Sequence, residues 1–327
     1  MRFQMLLKCS LSLTVFVFVF FDICRIIKKQ KKGVLIMDNS KTYSGPMRFA
    51  HRGLVQYAPE NTVGAFQAAV DHGCEGIELD IRVSKDGVAI VVHDDHMTRM
   101  TDGKLTTAIH EMTAQEICAV ELPYAGHLLP FHPPVPYSEG EGSARSYTPE
   151  QMEYFRACDT RTTHLFTFAD FDRWFAGIER DILVEVELCA PGSFRAVYPV
   201  LKQSPNCGRY IVFSGHRDIL EEMRETLAQN GVPEGLRLGA NFRRLDAETL
   251  ELIRGFGFYE VGLNDKWFTE DDVKLLDEMG VKVFSNLGDY PEWWTALQTI
   301  GAVAFKTNYA EAYTQWYYNG KIIVQIE

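Results

Sequence analysis

From residue 47 onward, short β-rich runs alternate with helical patterns, and this alternation restricts the possible fold more than any other feature. The runs are "MRFAH" (47–51), "EGIELDIRV" (75–83), "DILVEVEL" (181–188), "RYIVFS" (209–214), "LRLGAN" (236–241), "FYEVGL" (258–263), "VKVFSN" (281–286) and "AVAFKT" (302–307). Between them lie amphipathic stretches such as "NTVGAFQAAVDHG", with Ala65, Phe66, Ala69 and Val70 on one face and Gly73 as a stop. "DILEEMRETLAQNG", "DAETLELIRGFG" and "TEDDVKLLDEMG" have the same character. Eight strand–helix alternations predict an α/β protein built as a parallel (β/α)8 TIM barrel.

One β-rich run falls outside that count. "VAIVVHDD" follows "IELDIRV" across only Ser84, Lys85, Asp86 and Gly87. A parallel partner needs a crossover of about a dozen residues or more, so the connection is a hairpin, with Asp-Gly as its turn signal. The hairpin brings His93 back to the barrel mouth. The following stretch, with "LPYAGHLLPFHPPVPYSEGEGSARSYTPE", is rich in Pro, Gly and Ser and has no steady period. It predicts an irregular insertion over about 120–166, part lid and part loop, within the domain 45–327.

Barrel chemistry sits at the C-terminal ends of the strands. His51 and Arg52 end the first strand. Glu78 and Asp80 on the second point the same way, as do Glu185 and Glu187 on the third, because strand side chains alternate. Taken singly, each has a plain structural explanation: a hydrogen-bonded strand histidine, or a solvated acidic face. But apolar residues flank the acids (Ile77, Leu79, Ile81; Leu183, Val184, Val186), so these strands are buried on their other side. Several carboxylates facing one small volume repel each other unless a cation lies among them. An all-oxygen donor set predicts Mg2+ or Ca2+ rather than Zn2+. Glu60 supports either Arg52 or the first helix, with Asn61 or Thr62 as the helix cap. His110, His127, His132 and His164 lack metal spacing and are assigned to surface or local structure.

The formal charge of −11 excludes a nucleic-acid surface, which would carry a basic stripe. Seven scattered cysteines with no Cys-x-x-Cys pair predict free thiols and a cytoplasmic setting. Residues 1–44 are read as a hydrophobic and basic extension outside the fold. The apolar run within 6–24 suggests a membrane anchor as the alternative localisation. It is shorter than the ~20 residues a bilayer requires and contains Asp22. No small-residue cleavage site follows it, so a secretory signal ranks lowest. The Lys-rich stretch before Met37 would also match a ribosome-binding site translated by mistake, which predicts a natural start at Met37. Membrane contact is therefore expected only through this segment, if it is native.

"AHRG" followed by "PENT", and then "GIELDIRVSKDGVAIVVHDDHMTRMTDGK", resemble the glycerophosphodiester phosphodiesterase family. "TFADFDRWFAGIERDILVEVEL" matches less closely, and from Tyr210 onward only the strand–helix rhythm does. The resemblance implies a small-molecule phosphodiester substrate cleaved to an alcohol and sn-glycerol 3-phosphate. It implies His51 and His93 as general acid and base, Arg52 on the phosphate, and a divalent metal on Glu78, Asp80 and Glu185. Two departures stand out: Glu187 where the family usually has Lys, and Asn308 where an Asp is usual. They leave two alternatives, a phospholipase D-like enzyme that removes lipid headgroups and a degenerate barrel that binds phosphodiesters without cleaving them.

Overall fold

The computed structural model describes residues 43–131, 147–263 and 269–318. The anchor and start-site expectations for the N-terminal extension, and the middle of the insertion, lie outside the described residues. Eleven strands are present among those described: β1 (Met47–His51), β2 (Gly76–Val83), β3 (Ala89–Val91), β4 (Leu122–Pro123), β5 (Thr162–Thr163), β6 (Leu183–Leu188), β7 (Tyr210–Ser214), β8 (Arg237–Phe242), β9 (Glu260–Leu263), β10 (Lys282–Ser285) and β11 (Ala304–Thr307). Eight of them, β1, β2 and β6 to β11, pair in parallel in the order β1-β11-β10-β9-β8-β7-β6-β2, and β2 pairs back to β1. The cylinder is closed. All eight predicted strands are found, with ends that differ from the prediction by at most two residues.

Helices α1 (Val63–Asp71), α4 (Phe168–Phe175), α5 (Ser193–Gln203), α6 (Arg217–Asn230), α7 (Ala247–Phe256), α8 (Glu270–Glu278), α9 (Pro291–Ile300) and α10 (Ala310–Tyr318) follow the barrel strands or precede them; α2 (Ala114–Cys118) lies just before the insertion and α3 (Pro149–Cys158) within it. Local chemistry sets their ends. Thr62 caps α1, accepting from the Ala65 N–H, and Asp246 caps α7. Thr269 and Asp272 form a reciprocal capping box on α8, and Gly257 ends α7 in the left-handed conformation. Buried Ala65, Phe66 and Ala69 are three of the four residues on the face expected for α1.

The hairpin is present, with Ile81, Arg82 and Val83 of β2 opposite Val91, Ile90 and Ala89 of β3. The described parts of the insertion are more ordered than their composition suggests. β4 pairs with β5, and Ile90, Val92, Met97, Met100, Ile109, Met112, Ile117, Leu122 and Leu165 form a satellite core under the loop. The irregular spacing hid these apolar residues because they come from several short elements and the loops between them rather than from one periodic face. Inside the barrel, Phe49, Ile211, Phe284 and Ala304 make an apolar floor. Among the described residues no helix is long and apolar enough to cross a membrane.

Candidate active site

Just after β1 the chain turns sharply. Arg52 is left-handed (φ 58°), and Gly53 (φ 84°) passes so close to α1 that a Cβ on it would lie 2.6 Å from the Ala65 backbone. A non-glycine residue held at positive φ is the kind of local strain that clusters at functional sites. The turn aims the Arg52 N–H at Glu78 Oε2 (2.9 Å) and its guanidinium at Glu60 (3.0 Å) and Asp80 (3.1 Å).

"PENT" has a specific structural role at each polar position. Glu60 pairs with both Arg52 and Arg99, and these cations hold its carboxyl down at about 2 despite burial. Asn61, also left-handed (φ 55°), donates to Asp80 Oδ2 at 2.9 Å and accepts from the Asp80 N–H at 3.3 Å. Thr62 is the cap. The sequence left Asn61 and Thr62 as alternatives for that job; Asn61 braces an acid of the site instead.

Glu78 and Asp80 lie in register with Glu185 and Glu187 across the β2–β6 pair. Carboxylate oxygens of Glu78, Asp80 and Glu187 come within 4.8 Å of one another. Glu185 belongs to a different set: its carboxylate lies 3.3 Å from Lys306 of β11, whose ammonium also sits 3.9 Å from the centre of the Phe213 ring. Thus Glu187 joins Glu78 and Asp80, while Glu185, expected from the resemblance as the third ligand, faces a buried cation. Burial and the neighbouring charges of Asp80 and Glu187 push the Glu78 pKa well above the usual carboxylate range. Burial also raises the Glu187 pKa, opposed by Lys306. Glu260 of β9 completes the charged interior. Both its oxygens lack a hydrogen-bond partner, and burial followed by the charge of Glu185 raises its pKa strongly. Gly239 opposite makes room for it, since a Cβ there would lie 1.9 Å from Glu260 Oε1.

His51 Nδ1 lies 2.9 Å from Asn308 Oδ1. Desolvation and then the charge of Arg52 lower its pKa to about 3, against Asp80 and the Asn308 contact. His93 is half exposed, with Nδ1 2.9 Å from Asp94 Oδ1, and Arg99 holds Asp94 from the far side. His127 is local structure, buried beside Asp102 and Arg156.

Three site residues escaped the sequence reading. Lys306 and Glu260 lie at inward positions of apolar strands, the same signal that exposed Glu78 and Asp80. Asp289, in "LGDYPEW", gave none.

The donor set fits a hard divalent cation. Three carboxylates from two adjacent strands converge, Glu78 and Asp80 buried and Glu187 partly so; Glu78 Oε1 has no hydrogen-bond donor, and every ligand atom is oxygen. Glu78, Asp80 and Glu187 would hold the ion.

Fold and site together define a (β/α)8 barrel with two histidines, an arginine and a buried acid cluster at its C-terminal mouth. Residues 51–191 match the model of the Glycerophosphoryl diester phosphodiesterase family, so the resemblance read from the motifs holds. The glycerophosphodiester phosphodiesterase of Caldanaerobacter subterraneus is 43% identical over 68 residues, 21% of this chain and 27% of that protein. Human glycerophosphodiester phosphodiesterase 1 is 40% identical over 80 residues, 24% of this chain and 23% of that protein. The chain thus covers only about a quarter of the length of these curated relatives. The fold likeness reaches much further. An Oleispira antarctica phosphodiesterase, solved in complex with the product sn-glycerol-3-phosphate, superposes with a TM-score of 0.62 at 19% identity, covering 83% of this chain and 96% of that one. A Silicibacter pomeroyi glycerophosphoryl diester phosphodiesterase structure gives 0.65 at 18% identity, covering 86% and 96%.

Proposed function

We propose that this protein is a divalent-metal-dependent glycerophosphodiester phosphodiesterase, releasing an alcohol and sn-glycerol 3-phosphate from a small-molecule phosphodiester. The observation that carries this proposal is the convergence of Glu78, Asp80 and Glu187 within 4.8 Å, with Arg52 on Glu78 and Asp80 and His51 in register opposite Glu78. Residues 45–327 are the working unit, and 1–44 are an extension outside it.

A phosphodiester is anionic, and its charge grows as the nucleophile attacks; a bound Mg2+ or Ca2+ would neutralise that charge. Arg52 supplies a planar fork of donors for the phosphate oxygens, and Glu60 and Asp80 fix where the fork points. His51, neutral because burial and Arg52 depress its pKa to about 3, removes the proton from the attacking hydroxyl or water. His93, with the Asp94 carboxylate at its Nδ1, carries the proton delivered to the leaving alkoxide. Positioned proton transfer of this kind contributes about 10²–10⁴-fold each.

The test is a substrate panel with a metal titration. Purified protein should release sn-glycerol 3-phosphate from glycerophosphocholine or a related diester only when Mg2+ or Ca2+ is present. Headgroup release from phospholipid vesicles with none from water-soluble diesters would replace this function with a phospholipase D-like one. Binding without turnover would make the chain a binder.

A further inference from the structure

We infer that Asn308 and the buried Asp289 form a positioning pair that fixes His51 as the tautomer protonated on Nδ1, leaving its Nε2 lone pair for the reaction. The inference depends on the proposed function in assigning His51 as the base.

Asn308 alone could not choose a tautomer. Its amide can present either oxygen or nitrogen to His51 Nδ1, and the two choices put the ring proton on opposite nitrogens. Asp289 removes that freedom. Its Oδ2 accepts from Asn308 Nδ2 at 2.8 Å, which turns Asn308 Oδ1 towards His51 Nδ1 at 2.9 Å. Its Oδ1 accepts from the Asn308 backbone N–H and from the Thr307 hydroxyl, both at 2.9 Å. Thr307 Oγ1 in turn accepts the Tyr309 N–H at 3.0 Å, so its hydrogen is directed at Asp289. Every donor around Asp289 therefore points inward, and the chain from His51 to Asp289 runs one way.

The pair is built as a unit. Asp289 is 1% exposed, Thr307 0% and Asn308 5%. Burial pushes the Asp289 pKa up, and three donors hold the carboxylate against it. The neutral amide gives His51 an acceptor without placing a full negative charge against the ring. Asn308, which departs from the family pattern, keeps the acceptor and moves the charge one residue further away.

The test exploits the symmetry of the contact. In Asp289→Asn the new amide must keep its oxygen on the Asn308 N–H and Thr307, so its nitrogen faces Asn308. Asn308 then turns over, and His51 Nδ1 must accept rather than donate. We expect kcat to fall about 10²–10⁴-fold, the contribution of a general base, with KM and melting temperature little changed. Nitrogen NMR of labelled His51 should show the proton moved from Nδ1 to Nε2. The double variant D289N/N308D restores an acceptor fed from both sides and should recover most of the loss and the original tautomer. Wild-type kcat with an Nδ1-protonated ring in D289N would overturn the inference, as would a folded double variant no better than the single one. If D289N does not fold, the tautomer in the double variant decides. Should wild-type protein cleave no diester, the proposed function fails, and the His51 nitrogen shifts in the two variants still test the pairing.

Discussion

The arc from β1 to β6 and the arc from β7 to β11 enclose the same cylinder but are written differently. The first carries the side chains proposed to react, and several are braced from within that arc: Arg52 by Glu60, Asp80 by Asn61, His93 by Asp94. The second supplies partners from far along the chain, Lys306 to Glu185 and Asn308 to His51, and adds the buried Glu260. Arg52 and His93 are anchored locally, where a short loop fixes both partners, whereas His51 takes its partner from across the barrel. Charge balance can come from any strand facing the axis. The family match covers 51–191, whereas fold likeness extends over more than four-fifths of the chain, as this division would produce.

The largest effects are expected in the first arc. His51→Ala and His93→Ala should each cost about 10²–10⁴-fold in kcat without lowering the melting temperature. A comparable loss from stability alone, visible as early melting, would erase the distinction between the arcs.

The next test separates two glutamates on one strand. Glu187→Ala should weaken Mg2+ or Ca2+ binding by calorimetry, by about 10–100-fold. Glu185→Ala should leave cation binding nearly intact. Equal effects would return Glu185 to the ligand set expected from the motifs.

Lys306 probes the second arc. Breaking a buried ion pair from one side costs about 3–5 kcal/mol, whereas replacing both partners by apolar groups is often neutral. Lys306→Met should therefore lose about that much in denaturant unfolding, and K306M/E185L should recover most of it. A Lys306→Met protein of native stability would show that the interior acids need no counter-charge from β11.

The smallest effect lies at the seam between the arcs. His72, the C-cap of α1, pairs with Glu311 of α10 at 2.6 Å, and this contact raises the His72 pKa above 6.5. The added stability is complete below the unfolded value near 6.5 and fades as pH rises through the higher folded value. Both groups are about a third exposed, so the pair contributes less than about 1 kcal/mol. His72→Gln should abolish that slope in melts between about pH 6 and 9.

The barrel was legible because its signals are periodic. Short β-rich runs marked every barrel strand, and Gly73 marked the end of the first helix. The acids of β2 and β6 were legible because Ile77, Leu79 and Val186 show which face is buried. What the pattern could not reveal was depth along a strand. Glu185 and Glu187 point the same way, and only the register opposite Glu78 and Asp80, with Lys306 intruding from β11, decides which one meets the cluster. Asp289 was invisible for a related reason: it sits in a loop, and its meaning depends on a residue nineteen positions later.

At Ile81 the second strand pairs at once with Leu188 inside the cylinder and with Val91 outside it, and beyond that point it leaves the barrel wall. His93 therefore rides on a two-stranded arm rather than on a stave of the barrel. Lengthening or stiffening the Ser84–Gly87 turn would move one half of the proton-transfer couple while the other stays fixed, a ready adjustment for leaving groups of different bulk.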